Sequence, residues 1–541
     1  MKRMADRPEP LGRWGYVWPV LAGAVHALSL SPWVAAWPGG AWPAVLQTLA
    51  LAGLLWALAR SASVSHGALT AWLYGSVWLI GATGWMFVSL HRFGGLPAWL
   101  SALAVYLLCV ALSLYLAAAG AAWVRWRRHV WWADALLWSA LWLLAELARA
   151  WLFTGFPWGA SGYGLVDSAL AGLAPWLGVY GLGAVWAAGV AAVVLWVVGP
   201  GRLGRPGRPV RPVLGAVLMA LGLSGLAGWW GVPEPVRYTQ PHGSVLSVDL
   251  LQSNVPQDHK FDPARQWEAL QWHAQALRTS RADLVVAPET AIPLLPQQLP
   301  EGYWDALVAS FQDDRHALIG LPLGDFEHGY TNSVAGLSAA AARTQPEGFY
   351  RYDKHHLVPF GEFIPWGFRW FVNLMNMPLG DFTRGPLVAP SFLVLGQRVA
   401  PTICYEDLFG EEVAARFIDP AEAPTILANV SNLAWFGETV AIHQHLHIAR
   451  MRSLEFQLPT VRSTNTGATV VIDHRGQVQA ALPGNTRGVL QARVQGHQGV
   501  TPFAWWAARW GLGPLVLLAA LVVVLAVCWP RRDVFGAAVV R

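Results

Sequence analysis

VAPTICYED, residues 399–407, decides the fold class: an apolar, strand-like run delivers a thiol, a phenol and two acids one after another. The same construction recurs outward from it. ADLVVAPE at 282–289 runs into Glu289, and YRYDKHHLVPFGE at 350–362 carries Lys354 just past a predicted strand. In the second of these, Glu362 ends a Pro/Gly turn. Further β-rich runs stand at 244–253 (SVLSVDLLQS), 316–323 (HALIGLPL), 425–432 (TILANVSN) and 467–474 (GATVVIDH). Helix-like segments at 262–280 and 439–457 lie between them. Strands alternating with helices predict an α/β domain, here over residues 240–497, long enough for one substantial core.

On both sides of that domain the composition changes. Seven apolar stretches precede it, at roughly 14–36, 42–60, 68–90, 97–124, 131–153, 168–199 and 213–231, and an eighth follows at 504–529. Each approaches or exceeds the ~20 residues a helix needs to cross a bilayer. Only 13% of the 541 residues are charged, against about 25% in an average soluble domain. The 33 tryptophans suit a chain that meets the membrane–water boundary. The expected organisation is seven transmembrane helices in 1–239, the α/β domain in 240–497, and a last transmembrane helix with its tail in 498–541.

Charge placement orients these helices. Lys2, Arg3, Arg7 and Arg13 precede the first, and Arg125, Arg127 and Arg128 follow the fourth. Arg202, Arg205, Arg208 and Arg211 follow the sixth, in the Gly/Pro loop 201–212, and Arg531 and Arg532 follow the last. Basic residues accumulate in short cytoplasmic loops, so both termini are expected in the cytoplasm and the α/β domain outside it. No basic stripe interleaves with exposed aromatics, which argues against nucleic acid as a partner.

Of three cysteines, Cys109 and Cys528 lie in apolar stretches and read as packing residues, leaving Cys404 as the chemical candidate. A thiol is a strong nucleophile only as thiolate. A carboxylate such as Glu289 can take its proton. An ammonium such as Lys354, with the backbone N–H after the cysteine, can stabilise the oxyanion that attack on a carbonyl creates. Taken alone, each of these residues has an ordinary structural explanation. Together, at strand ends of one domain, they form the minimum set for acyl transfer through a thioester. His443, His445 and His447 could suggest a metal, His443 and His447 sharing a helix face at i, i+4 spacing, but packing or hydrogen bonding explains all three and no metal or other cofactor is expected. Asp258, His259 and Lys260 are expected in a loop without a role.

The motifs PET, K-x-x-L-V-P-F-G-E and ICYE, in this order, resemble the nitrilase (carbon–nitrogen hydrolase) superfamily with its Glu-Lys-Cys triad. TGFPWG at 154–159, LQSNVPQ at 251–257, LVPFGEFIP at 357–365, NLAWFG at 432–437 and HQHLHIARMRSLE at 443–455 resemble the bacterial apolipoprotein N-acyltransferases. That resemblance spans nearly the whole chain. It implies a membrane α-helical base of about eight helices carrying an extracytoplasmic αββα sandwich in the bacterial inner membrane. It implies Glu289 as general base, Lys354 as oxyanion cation, Cys404 as nucleophile and Glu362 as a supporting carboxylate. Tyr405, Glu406 and Trp435 match substrate-lining positions. Leu433 departs from the pattern, standing where an Asp is expected before AWFG.

The implied reaction moves an acyl chain from a phospholipid, phosphatidylethanolamine being the expected donor, through Cys404 to the α-amine of a diacylglyceryl-modified apolipoprotein cysteine. Apolar loops dipping toward lipid are expected, with 368–380 (FRWFVNLMNMPLG) the best candidate. Two other readings compete. A membrane-tethered amidohydrolase would use the same triad with water as acceptor. A transporter or receptor would use the outer domain only to bind, but the stretches hold few charges, Glu146 being a rare one, where transport pathways usually need several.

Overall fold

A computed structural model describes residues 16–35, 40–198, 236–260, 262–372 and 381–529. Its strands are β1 (Thr239–Gln252), β2 (Leu284–Val286), β3 (His316–Asp325), β4 (Gly329–Leu337), β5 (Tyr350–Asp353) and β6 (Phe392–Val394). They continue with β7 (Gln397–Ile403), β8 (Ile426–Ser431), β9 (Thr460–Thr464), β10 (Val470–Ile472), β11 (Val478–Ala481) and β12 (Gly488–Gly499). Two six-stranded sheets result, ordered β12-β1-β2-β3-β4-β5 and β11-β10-β9-β8-β7-β6. The middle of each is parallel, β1–β2–β3 in one and β7–β8–β9 in the other. Parallel neighbours need a crossover. Helix Pro263–Thr279 supplies it between β1 and β2, and helix Val440–Phe456 between β8 and β9.

Alternation along the strands builds the layers. Leu284 and Val286 of β2 face the other sheet, where they join Ile403, Val430 and Val461 in one core. Val285, between them, turns outward to pack with Leu270 and Leu277 of the crossover helix. On the far side Ala400 and Leu427 meet Phe417, Phe456 and Phe503. The order of layers is helix, sheet, sheet, helix, the αββα sandwich expected.

The flanking apolar stretches are helical where described. Trp42–Ala59, Ala98–Trp126, Trp131–Thr154 and Ala169–Val197 are each long and apolar enough to cross a membrane. Two bent pairs bring the total to as many as six among the described residues: Val64–Thr83 with Met86–Phe93, bent by 59°, and Pro502–Trp510 with Gly513–Cys528, bent by 88°. Helix Val17–Ser29 is shorter. The stretch expected at 213–231, the basic loop 201–212, the terminal cations and residues 373–380 lie outside the described residues.

The last apolar stretch therefore differs from a single straight helix. Gly511, at φ +53°, and the Pro514 at the start of the second helix turn the chain. Phe503, Ala504 and Ala507 of the first arm consequently pack on the sandwich rather than face lipid.

Helix Val440–Phe456 is buried on several sides. Ala441, Ile448, Met451 and Leu454 join the core of the helical base, while Ala449 meets Val470 and Ile472 of the second sheet. It is the plank on which the sandwich rests. Polar contacts fix the join: Gln444 accepts from the indoles of Trp85 (3.1 Å) and Trp158 (2.7 Å) and donates to the Ala82 carbonyl (3.0 Å).

Candidate active site

The three residues singled out at strand ends lie close enough for their charges to act on one another. Cys404 directly follows β7, Lys354 directly follows β5, and Glu289 lies three residues past β2. Glu289 approaches β3 closely because position 320 is glycine. A Cβ there would stand 2.7 Å from the Glu289 Cα and 2.9 Å from the Thr290 nitrogen.

Lys354 is 1% exposed, and its ammonium sits between two carboxylates. It donates to Glu362 Oε1 at 2.8 Å and to Glu289 Oε1 at 3.5 Å. Burial alone would lower its pKa, but Glu362 and Glu289 together outweigh burial and hold it above the ordinary lysine range. The pairing therefore favours its charged form. Asn332, on β4, donates its Nδ2 to the same two acids, at 2.8 Å to Glu289 Oε1 and 2.6 Å to Glu362 Oε1. The Asn432 backbone N–H holds the other Glu289 oxygen at 2.9 Å, and the Val358 N–H holds Glu362 Oε2 at 2.8 Å. Both carboxylates are aimed from two sides.

Cys404 is partly buried, packed against the core between the sheets. Its φ is +51°, a left-handed conformation costing a non-glycine residue of order 1–3 kcal/mol. Such strain persists only where surroundings impose it. Burial first, then the Glu289 and Glu362 charges, push its pKa up, and Lys354 and Arg462 oppose them. The balance favours the neutral thiol at rest.

The residues expected to line the substrate are placed less uniformly. Glu406 is buried and takes donors from Tyr352 Oη (2.7 Å), the Ile403 N–H (2.7 Å) and the His355 N–H (2.7 Å). It braces the lysine loop against the cysteine turn. Tyr405 is buried and donates to the Gly155 carbonyl at 3.0 Å, joining the site to the TGFPWG loop of the base. Trp435 is half-buried beside Phe93, and its carbonyl accepts from Ser89 at 2.7 Å. Leu433 is fully buried at the start of the short turn Leu433–Phe436.

Sequence reading missed several participants. Lys260, expected in a loop without a role, stands in the helical turn Gln257–Lys260. Its buried ammonium donates to the Glu289 carbonyl at 2.9 Å, and burial lowers its pKa to about 8. Asn332 could have been noticed as an asparagine inside a strand, where the residue is depleted. His443 and His447 form a ring pair at 4.5 Å, and His447 Nδ1 meets the Tyr163 carbonyl at 3.2 Å.

Comparison with known proteins matches this division of the chain. Residues 22–193 match the apolipoprotein N-acyltransferase N-terminal domain, and residues 250–499 match the carbon–nitrogen hydrolase family. An apolipoprotein N-acyltransferase of Verminephrobacter eiseniae is 49% identical over 518 residues, covering 92% of this chain and 94% of that protein. The chain belongs to the apolipoprotein N-acyltransferase family. Relatives with the same name in Ralstonia nicotianae (43% identical, 95% of this chain, 94% of that one) and Bordetella bronchiseptica (41%, 94% and 96%) extend the match. An apolipoprotein N-acyltransferase is an enzyme whose acceptor is a lipoprotein, and the long apolar helices that carry the sandwich suit a membrane protein.

Proposed function

We propose that this apolipoprotein N-acyltransferase works by two displacements at Cys404. In the first, Glu289 takes the thiol proton while sulfur attacks the ester carbonyl of a phospholipid sn-1 chain, phosphatidylethanolamine being the expected donor. The sulfur–acyl bond forms, the ester C–O bond breaks, and the proton passes to the departing lysophospholipid hydroxyl. In the second, the α-amine of a diacylglyceryl cysteine attacks the thioester. The amide bond forms, the C–S bond breaks, and the amine's proton returns through Glu289 to the thiolate.

Lys354 stabilises the oxyanion in both steps, and Glu362 keeps that cation aimed. Tyr405, Glu406 and Trp435 are assigned to the walls and bracing of the acyl site. The supporting observation is the fully buried Lys354 ammonium, 2.8 Å from Glu362 and 3.5 Å from Glu289, whose charge acts on the Cys404 sulfur. Buried ionised groups are costly unless paired, and this cluster adds a nucleophile beside the pair.

In the bilayer the reading places eight spanning helices, both termini in the cytoplasm and residues 240–497 outside it. Residues 1–239 and 498–541 hold the spans. An acyl chain leaves lipid at a cost of about 0.8 kcal/mol per CH₂, so the thiol must work at the interface. Hydrolysis is the competing outcome. Purified protein incubated with phosphatidylethanolamine vesicles and a diacylglyceryl peptide should yield the N-acyl peptide and lysophospholipid in equal amounts. Free fatty acid without amide would instead make it a hydrolase.

A further inference from the structure

Behind the cysteine lies a chain of buried groups to which no catalytic role has been given. Asp407 Oδ2 accepts from Arg462 Nη1 at 3.2 Å, and Arg462 Nη2 meets His445 Nδ1 at 2.9 Å. His445 Nε2 meets the Cys404 carbonyl oxygen at 3.2 Å. All three side chains are buried, Arg462 and His445 completely. Their protons can be assigned by chemistry. Arginine only donates, so Nδ1 of His445 accepts, and the ring's one remaining proton lies on Nε2 and is donated to the Cys404 carbonyl. Burial and the Arg462 charge both hold this imidazole neutral, which fixes that tautomer.

In a planar trans peptide the carbonyl and the following N–H point in opposite directions. The plane joining Cys404 to Tyr405 is therefore gripped at its oxygen by His445, and its N–H is turned the other way. Tyr405 is the second residue of the 3₁₀ turn Cys404–Leu408, a position whose N–H finds no partner within its own helix. A hydrogen bond to the carbonyl also polarises the N–H of the same peptide group. The grip acts where the backbone is strained, at a Cys404 φ of +51°.

We infer that His445, held by Arg462 and Asp407, is a positioning residue that anchors the Cys404–Tyr405 peptide so that its N–H meets the oxyanion formed at the acylated carbon. It depends on Cys404 being the nucleophile, and adds how the backbone half of the oxyanion site is built. His445 itself touches no reacting atom. Its effect is confined to steps in which a carbonyl oxygen gains charge.

Two reactions of the same sulfur separate that effect from a structural one. Thioester formation with phospholipid builds an oxyanion, whereas alkylation of Cys404 by iodoacetamide does not. In the full-length protein, His445→Phe should slow thioester formation by about 10- to 100-fold, below the ~10²–10³-fold typical of deleting an oxyanion donor outright. Alkylation should stay within about threefold of the unsubstituted protein. His445→Gln, which can accept from Arg462 and donate to the carbonyl, should restore most of the thioester rate. His445→Asn, too short to reach the carbonyl, serves as a second loss of the donor should the phenylalanine disturb folding. Unchanged thioester formation in His445→Phe and His445→Asn, or an equal fall in both reactions, would overturn the assignment. A Cys404→Ala protein that still turns over would sink the nucleophile reading instead, and is measured alongside.

Discussion

At Cys404 the resting charge balance runs against the thiolate, because burial and Glu289 both favour the neutral thiol. The carboxylate that makes the sulfur hard to ionise at rest is the one proposed to take its proton during attack. Opposite effects follow from removing its charge. Glu289→Gln should slow thioester formation from phospholipid by a factor on the order of 10²–10⁴ at neutral pH, the usual range for a lost general base. Simple alkylation needs only a pre-formed thiolate, and with the neighbouring anion gone the thiol pKa falls. The alkylation rate profile of the variant should therefore move to lower pH. Parallel changes in the two reactions would remove Glu289 from the role of base.

At the level of elements, two packing contacts set the site. Gly320 of β3 lets the Glu289 backbone lie against it. Gly320→Ala should cost about 1–3 kcal/mol through overpacking and, by shifting the base, slow thioester formation at least 10-fold. Normal kinetics in that variant would show the approach to be dispensable. Helix Val440–Phe456 is tied to the base by Glu455, which accepts from the Val179 N–H at 2.7 Å and from Arg452 at 2.9 Å. Glu455→Ala strips a buried pair of one partner, which typically costs about 3–5 kcal/mol, and should lower the Tm of the detergent-solubilised protein. Burial raises the Glu455 pKa from 4.5 to about 7. Between those values the folded protein keeps a proton the unfolded chain has released, so rising pH works against the fold there. A Tm series across that window should lose this contribution in the variant. The same elements show what the sequence could reveal. β1, β2, β3, β7, β8 and β10 and both crossover helices stand out because their apolar runs are bounded by Pro, Gly and acids. β9 and β12 were hidden by Arg462 and by the alternating polar residues of QARVQG, since a buried, paired arginine has the same hydropathy as a surface one. Cys404, Glu289 and Lys354 were legible because each ends an apolar strand. Lys260 and His445 were not, because only tertiary contact turns an ordinary polar residue into a donor aimed at the site, and Asn332 offered only its place inside a strand.

Across the whole molecule, the proposed contact of the sandwich with lipid is testable at its exposed aromatics. Trp366 is 99% exposed, just before the 368–380 segment expected to reach the bilayer, and Trp370, within it, is 65% exposed. Trp366→Ser should reduce thioester formation from phospholipid vesicles roughly 10-fold, the equivalent of ~1.4 kcal/mol of lost apolar contact. The rate with a short-chain, water-soluble ester should not change, and an equal loss with both substrates would place Trp366 in the folded core of the site instead. The bent final pair of helices was read from sequence as one span because hydropathy does not register the turn at Gly511 and Pro514. Helices, sandwich and thiol meet in one claim: a lipid acyl chain is carried on the sulfur of residue 404. Intact-mass analysis after exposure to phosphatidylethanolamine vesicles tests it most directly. One acyl-sized adduct, released by hydroxylamine, mapped to Cys404 and absent from Cys404→Ala, is the predicted result. An adduct on another residue, or N-acylation of a diacylglyceryl peptide by the alanine variant, would contradict it.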